Sequence, residues 1–205
     1  AVHIDLAAAE QSIQTKSIRY DQDGDGHYDH ASALIKSIRG SDPDASIHWL
    51  ATMLAAGEDP RFICRRLAIL ASEDIGLAAP QAMQMAAAAW TITERVGMPE
   101  CQLTLSELVL YLATCPKSQS SAQAIWSAMD DVRNNRSVAV PSHLRDAHYA
   151  GAAEHGHGVH YANPHHDADG ARNQDYLGAE RHYYTPGSSG FEQEIGRRLK
   201  DQADE

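Results

Sequence analysis

The sequence predicts an all-α fold: a compact multi-helix bundle of helical hairpins with a long irregular C-terminal arm. Three observations lead there. Through the first two-thirds of the chain, apolar residues recur at helical spacing and are punctuated by Gly, Pro and Asp. Strand-favouring bulk is scarce, since alanine dominates the 43% hydrophobic content and Phe occurs only 2 times. From Val138 the periodicity stops, Gly and His rise, and no helical pattern returns before Phe191.

The first stretch has Ile4, Leu6, Ala9, Ile13 and Ile18 at approximate helical spacing, with Asp5 placed to cap it. A helical pattern so close to the first residue reads as the end of something larger, an excised fragment. Between Tyr20 and Asp44, Asp21, Asp23, Asp25 and Gly26 match the opening of an EF-hand loop. The twelfth position is Ser32 rather than a bidentate Glu, and the residues after Gly26 already read as helix. The plainer reading is an acidic turn at the positive end of a helix dipole. In that helix Ala31, Leu34, Ile35 and Ile38 form one apolar face, Lys36 and Arg39 lie on others, and Gly40 is placed for a left-handed stop.

Ser41 or Asp42 then caps a second helix with Pro43 in its first turn, carrying Ile47, Leu50, Met53 and Leu54 and ending at Gly57. Asp59 and Pro60 open a third, with Phe62, Ile63, Leu67 and Leu70 inward, fading near Glu73-Asp74-Ile75-Gly76. Pro80 starts a fourth, in which Met83, Ala87 and Trp90 are read as inward and the alanines 86–89 let a neighbour approach closely; it ends at Gly97. Thr104 is read as the cap of a fifth with Leu105, Leu108, Val109 and Leu112. Pro116 interrupts, and a sixth from Ser118 to Arg133 carries Ile125, Met129 and Val132 before Asn134-Asn135. Short loops make these helices hairpins. The arm of about fifty residues wraps the body or is partly disordered, and Phe191, Ile195 and Leu199 dock a last short helix.

Chemistry is sparse in this pattern. The formal charge is −11, which disfavours nucleic acid unless cations cluster locally. Arg61, Arg65 and Arg66 are one such cluster, and Lys36 and Arg39 join them as nucleic-acid candidates; the bland alternative is a solvated helix face with ion pairs. His155, His157, His160, His165 and His166, with Asp167 and Asp169, could chelate a transition metal only adventitiously, and exposed or capping histidines are the expected reading. No G-x-x-x-x-G-K-[ST] or G-x-S-x-G occurs, and Glu73 and Asp74 are adjacent on a helix and point apart. Neither catalytic nor cofactor-binding nor metal-binding residues are assigned. Cys64, Cys101 and Cys115 are widely spaced and odd in number, as in reduced thiols of a cytoplasmic protein. No run reaches the apolar length of a membrane helix, and no leader pattern opens the chain.

Five blocks, RYDQDGDGHYDHASALIKSIRGSDPDAS, WLATMLAAGEDPRFICRRLAILASEDIG, ERVGMPE, YLATCPKS and VPSHLRDA, resemble one family in order and spacing. It is the replication-associated recombination protein A family, AAA+ ATPases related to the eukaryotic Werner-helicase-interacting ATPase. The part resembled is C-terminal: the end of the lid over residues 1–20, a helical oligomerisation domain over 21–137, and an arm with a short helix over 138–205 packed on the same domain. The resemblance implies a clamp-loader-like, DNA-dependent ATPase, homotetrameric through this domain, acting at stalled forks with DNA and single-stranded-DNA-binding protein as partners. It implies ATP and Mg in the full-length protein, none in this fragment, and a nucleoid-associated place if bacterial. After Ala147 the family's Lys-rich stretch is replaced by HYAGAAEHGHGVHYANPHHD, which keeps Tyr161 and loses positive charge.

Overall fold

Short capping signals fix most of the helix ends. The computed structural model of the chain describes residues 25–204, and among these every regular element is helical. The helices are α1 (Asp25–Arg39), α2 (Pro43–Ala55), α3 (Pro60–Leu70), α4 (Gln81–Val96), α5 (Cys101–Thr114), α6 (Ser120–Arg133), α7 (Ala168–Asn173) and α8 (Glu192–Asp204). A π turn over Ala71–Ile75 and a 3₁₀ turn over Gly76–Ala78 link α3 to α4. The residues form two compact units, one from those before Gln123 with those after Thr185, the other Gln123–Thr185. The lid-end pattern of residues 1–20, and Asp21 and Asp23 of the acidic loop, lie outside the described residues. Asp25 and Gly26 already belong to α1, so the second half of an EF-hand loop is helix here.

In the first unit α1 packs on α2, α3 and α5, α2 on α5, and α4 on α3 and α5. The predicted faces of α1, α3 and α5 build its core. Leu34, Ile38, Met53, Ile63, Leu67, Leu70, Leu105, Leu108, Val109 and Leu112 are fully buried, each large side chain contributing roughly 1.5–3 kcal/mol. Asp42 caps α2 by accepting from the Ala45 N–H at 2.9 Å, and Asp59 caps α3 by accepting from Arg61 N–H at 2.9 Å. Gly57 (φ 84) ends α2 as expected, with its N–H on Leu54 O and that of Glu58 on Met53 O.

Four readings are corrected. The left-handed residue after α1 is Ser41 (φ 59), not Gly40: Ser41 N–H bonds Ile38 O and Asp42 N–H bonds Ser37 O. Lys117 Nζ donates to Ser41 Oγ at 2.8 Å, holding a serine where glycine is usual. On α4 the buried stripe is Ala82, Ala86, Ala89 and Thr93, whereas Met83 and Ala87 are exposed; Trp90, half-buried, does pack against the core. Close packing against α3 and α5 selects the smallest side chains for the stripe, so Met83 turns outward while Met85 and Trp90 pack on the edge of the core. The fifth helix starts at Cys101, three residues before Thr104, which sits inside it. Finally, α8 is not docked through a full apolar stripe. Phe191 and Leu199 are exposed, and the anchor is the fully buried Glu192, whose carboxylate accepts from Ser120 Oγ and from Gly187 N–H (2.7 Å).

In the second unit α6 ends with Asn135 at φ 57, the predicted exit. Asp131 accepts from Arg136 Nε (2.7 Å) and Tyr183 O–H (2.9 Å), tying the returning chain to the helix. The arm also holds the six-residue α7, capped by Asp167 on Gly170 N–H at 2.8 Å, which periodicity did not disclose.

Candidate functional site

A cleft of about 370 Å³ opens beside α1 and α3 in the first unit. Its walls follow from helical spacing: Tyr28, Ser32 and Lys36 stand at successive i, i+4 positions of α1, and Arg39 follows at i+3. The buried Ala31 and Ile35 form its floor, and α3 contributes Phe62 and Arg66. Among the described residues no carboxylate lines it. Tyr28 is 71% exposed, and neither Lys36 nor Arg66 is in an ion pair among the described residues. The Phe62 ring lies against His27 at 4.3 Å between centroids, and His27 Nδ1 in turn meets the Glu58 carboxylate.

Arg39 occupies the rim and is already engaged. Its Nε and Nη2 donate to Asp74 Oδ1 and Oδ2 at 2.8 and 3.0 Å, with Glu73 at 3.9 Å. The hydrogen bond to Asp74 holds the guanidinium pKa above its ordinary value. Asp74, 3% exposed, also accepts from Gln119 Nε2 at 2.9 Å, while its backbone carbonyl accepts from Ser118 N–H at 2.9 Å. The π turn over Ala71–Ile75 carries this carboxylate, and such a turn widens the helix by one residue. Gly76 (φ 51) permits the close approach of the segment after Pro116: a Cβ there would lie 2.8 Å from Ser118 O. The adjacent Glu73–Asp74 pair is therefore a structural clamp.

The five cations named from the sequence are divided by this geometry. Lys36, Arg39 and Arg66 share the α1–α3 cleft. Arg61 pairs with Asp59 at 3.3 Å and lines a separate cleft of about 310 Å³ that also contains Glu94. The backbone N–H of Arg61 holds the Asp59 carboxyl below its usual range. Arg65 is exposed, its guanidinium carbon 5.9 Å from the Phe62 centroid. Tyr28 and Phe62 were missed as site residues, although the i, i+4, i+8 run of Tyr28, Ser32 and Lys36 was available in the sequence.

A third cleft of about 620 Å³ is apolar, with Ala78, Pro80, Tyr111, Cys115, Pro116 and Phe191 on its walls. Burial pushes the Cys115 thiol above its ordinary value, and does the same to Cys64 and Cys101. All three cysteines are unpaired. In the second unit His157 meets Tyr149 O–H at 2.5 Å and His143 contacts Asp175 O at 2.8 Å. Among the described residues no group of three or more His, Cys, Asp and Glu could hold a metal ion, and no helix is long and apolar enough to cross a membrane.

Comparison with known proteins resolves what this geometry alone does not. Residues 40–203 match the family described as MgsA AAA+ ATPase C terminal, and residues 1–39 match an AAA C-terminal domain. The chain belongs to the MgsA AAA+ ATPase C-terminal family. It is 50% identical over 96% of its length to an uncharacterized AAA domain-containing protein of Mycobacterium tuberculosis, covering 44% of that protein. It is 46% identical over 92% of its length to replication-associated recombination protein A of Bacillus subtilis, covering 45% of it. With the protein of that name from Escherichia coli the values are 41%, 90% and 42%. The chain thus spans less than half the length of these relatives, and it aligns with the C-terminal part of an AAA+ ATPase.

Proposed function

We propose that this chain is the homotetramerisation domain of a clamp-loader-like, DNA-dependent ATPase acting in replication, recombination and repair at stalled forks. The observation that carries the reading is an uncovered apolar face. On α6, Ile125, Met129 and Val132 fall at i, i+4 and i+7 beside Trp126, and the four are 57, 40, 56 and 52% exposed. An amphipathic helix that leaves its apolar side in water calls for a second surface, and identical copies supply one by closed symmetry. In the first unit, Leu103 and Leu110 of α5 are exposed on the side away from Leu105, Leu108 and Leu112.

In this reading the chain is non-catalytic. It contains no phosphate-binding glycine loop, so ATP and Mg²⁺ belong to an upstream part of the whole protein. The whole protein would act in the cytoplasm at the nucleoid, with DNA and single-stranded-DNA-binding protein as partners. The names of the relatives, which place them in replication and recombination, support that setting. Light scattering of the chain at micromolar concentration tests the assembly. A tetramer is expected, and Ile125→Glu with Met129→Glu should dissociate it while circular dichroism keeps its helical signal. A wild-type chain that is strictly monomeric overturns the reading.

A further inference from the structure

We propose that the turn from α4 into α5 carries a binding site for a soft monovalent metal ion of the Cu(I) class, with Cys64, Cys101 and the Met98 thioether as its ligands. The site shares no residue with the α6 face on which self-association rests, so the two readings fail independently.

Helical spacing brings the three sulfurs towards one place, at the cleft of about 310 Å³ that also holds Arg61. Pro60 lines that cleft, and Cys64 follows it at i+4 on the same side of α3, fully buried. On the other wall the Gly97 N–H donates to Thr93 O at 3.0 Å and the Cys101 N–H donates to Gly97 O at 2.9 Å. The chain therefore turns from α4 into α5 at the cleft itself. That turn sets Met98 beside Cys101, whose Sγ donates to Met98 Sδ at 3.4 Å. Cys64 and Cys101 are 1% and 0% exposed in one core, where α3 also touches α5. Burial raises the Cys64 thiol pKa first of all; the groups that act on it next are Thr93, Cys101, Glu94 and Asp59. Thr93, Glu94 and Asp59 are walls of the same cleft.

Ligand chemistry selects the ion. Thr93 is 3% exposed on the cleft wall, and its Oγ1 has no hydrogen-bond partner among the described residues. An orphaned buried hydroxyl beside a thiol is completed when that sulfur becomes a metal-bound thiolate and accepts the O–H. Two thiols and a thioether are a set that soft ions accept, whereas Ca²⁺ and Mg²⁺ need oxygen ligands and structural zinc needs four ligands. Among the described residues no three of His, Cys, Asp and Glu come together, and Asp59 already caps α3. The thioether is what turns this pair of cysteines into a three-ligand site. With metal–sulfur bonds of about 2.3 Å, the 3.4 Å Sγ···Sδ spacing subtends about 95° at the ion, and widening it by about 0.6 Å gives the trigonal angle. Met98 is 49% exposed, so its side chain has room for that shift and is the ligand an incoming ion meets first. Cys64 and Cys101 each release a proton to solvent on binding, which leaves the ion with two thiolates and one neutral thioether.

The test titrates the reduced 205-residue chain with Cu(I) in the absence of oxygen, against bathocuproine disulfonate as competing chelator. One equivalent of copper should leave the chelator, with sulfur-to-copper absorption rising in the ultraviolet. X-ray absorption of that complex should show sulfur neighbours, which separates the site from the histidines of the arm, whose ligand atoms are nitrogen. Cys64→Ser or Cys101→Ser should abolish uptake. Met98→Leu, at a half-exposed position where folding is unaffected, and Thr93→Val should each weaken binding roughly tenfold or more. Cys115→Ser, in the separate apolar cleft, should bind like the wild-type chain, and circular dichroism checks the fold of every variant. The proposal is overturned if the chelator keeps all the copper or if nitrogen neighbours dominate the bound ion. It is equally overturned if Met98→Leu binds as tightly as wild type, or if Cys115→Ser removes the uptake.

Discussion

Removing either partner of the Arg39–Asp74 pair should destabilise the fold by very different amounts. The side chain of Asp74 is 3% exposed and that of Arg39 is 47% exposed. In Asp74→Ala the guanidinium turns to water and keeps Glu73 nearby, and the Gln119 amide loses its acceptor, so the loss is that of a half-exposed pair and one neutral-donor hydrogen bond, about 1–3 kcal/mol. In Arg39→Ala the carboxylate stays in the interior with Gln119 as its remaining side-chain donor, and a stranded buried charge costs about 3–5 kcal/mol. The arginine substitution should therefore be worse by roughly 2 kcal/mol, although it removes the more exposed residue. Arg39→Lys should rescue little, because an ammonium cannot bridge Oδ1 and Oδ2 as the fork does. Urea unfolding of the two single variants and the double variant measures this, at one fixed protein concentration because self-association would add to apparent stability. The cycle should return a coupling of about 1–3 kcal/mol. Equal losses, or a larger loss for Asp74→Ala, would refute the argument that burial of the carboxylate sets the energy.

Two more outcomes follow from the packing and the second unit. Ala86→Leu pushes bulk into the close approach of α4 to its neighbours and should cost about 1–3 kcal/mol by urea unfolding, whereas Met83→Ala on the exposed side stays within about 0.5 kcal/mol. Hydrogen bonds from Arg136 and then Tyr183 hold the Asp131 carboxyl below its ordinary value. A lowered folded pKa means the contribution is complete above the unfolded value near about pH 4 and disappears as pH falls through the folded one. Amide exchange in residues 134–185 should accelerate in that acid window, and an acid profile that is identical in Asp131→Asn would exclude Asp131 as the cause.

What the sequence disclosed and what it hid have physical reasons. Caps and stops are local chemistry, so Asp42, Asp59, Gly57 and Asn135 were legible from neighbouring residues alone. The face of α4 was only partly legible, because apolarity ranks Met83 above alanine while the decisive variable was how near α3 and α5 come. The anchor of α8 was hidden for a similar reason. A carboxylate such as Glu192 reads as solvent-facing until Ser120 and Gly187, distant in sequence, are brought to it. At the cleft, charge pointed to Lys36, Arg39 and Arg66, but grouping arginines by sequence proximity drew in Arg61 and Arg65. Those two are i, i+4 neighbours of each other, and Arg66 turns to a different side of α3.

The position of α1 bears on how such a domain is joined to its ATPase. The two family matches meet between residues 39 and 40, at the end of α1, which assigns that helix to the preceding AAA C-terminal domain. Physically α1 belongs to the following bundle: Ala31, Leu34, Ile35 and Ile38 are buried in the core shared with α2 to α5. Exposing the three larger side chains would cost on the order of 5–8 kcal/mol, before Arg39 is pulled from Asp74. The sequence boundary thus falls after the element that mechanically crosses it. A displacement arriving through the residues before Asp25 would reach α1 as a load on the whole first unit, because the stop at Ser41 and the Lys117 contact pin its far end. The same helix carries Tyr28, Lys36 and the Arg39 rim, so any movement of α1 against α3 changes the width of the cleft and the spacing of its two free cations together.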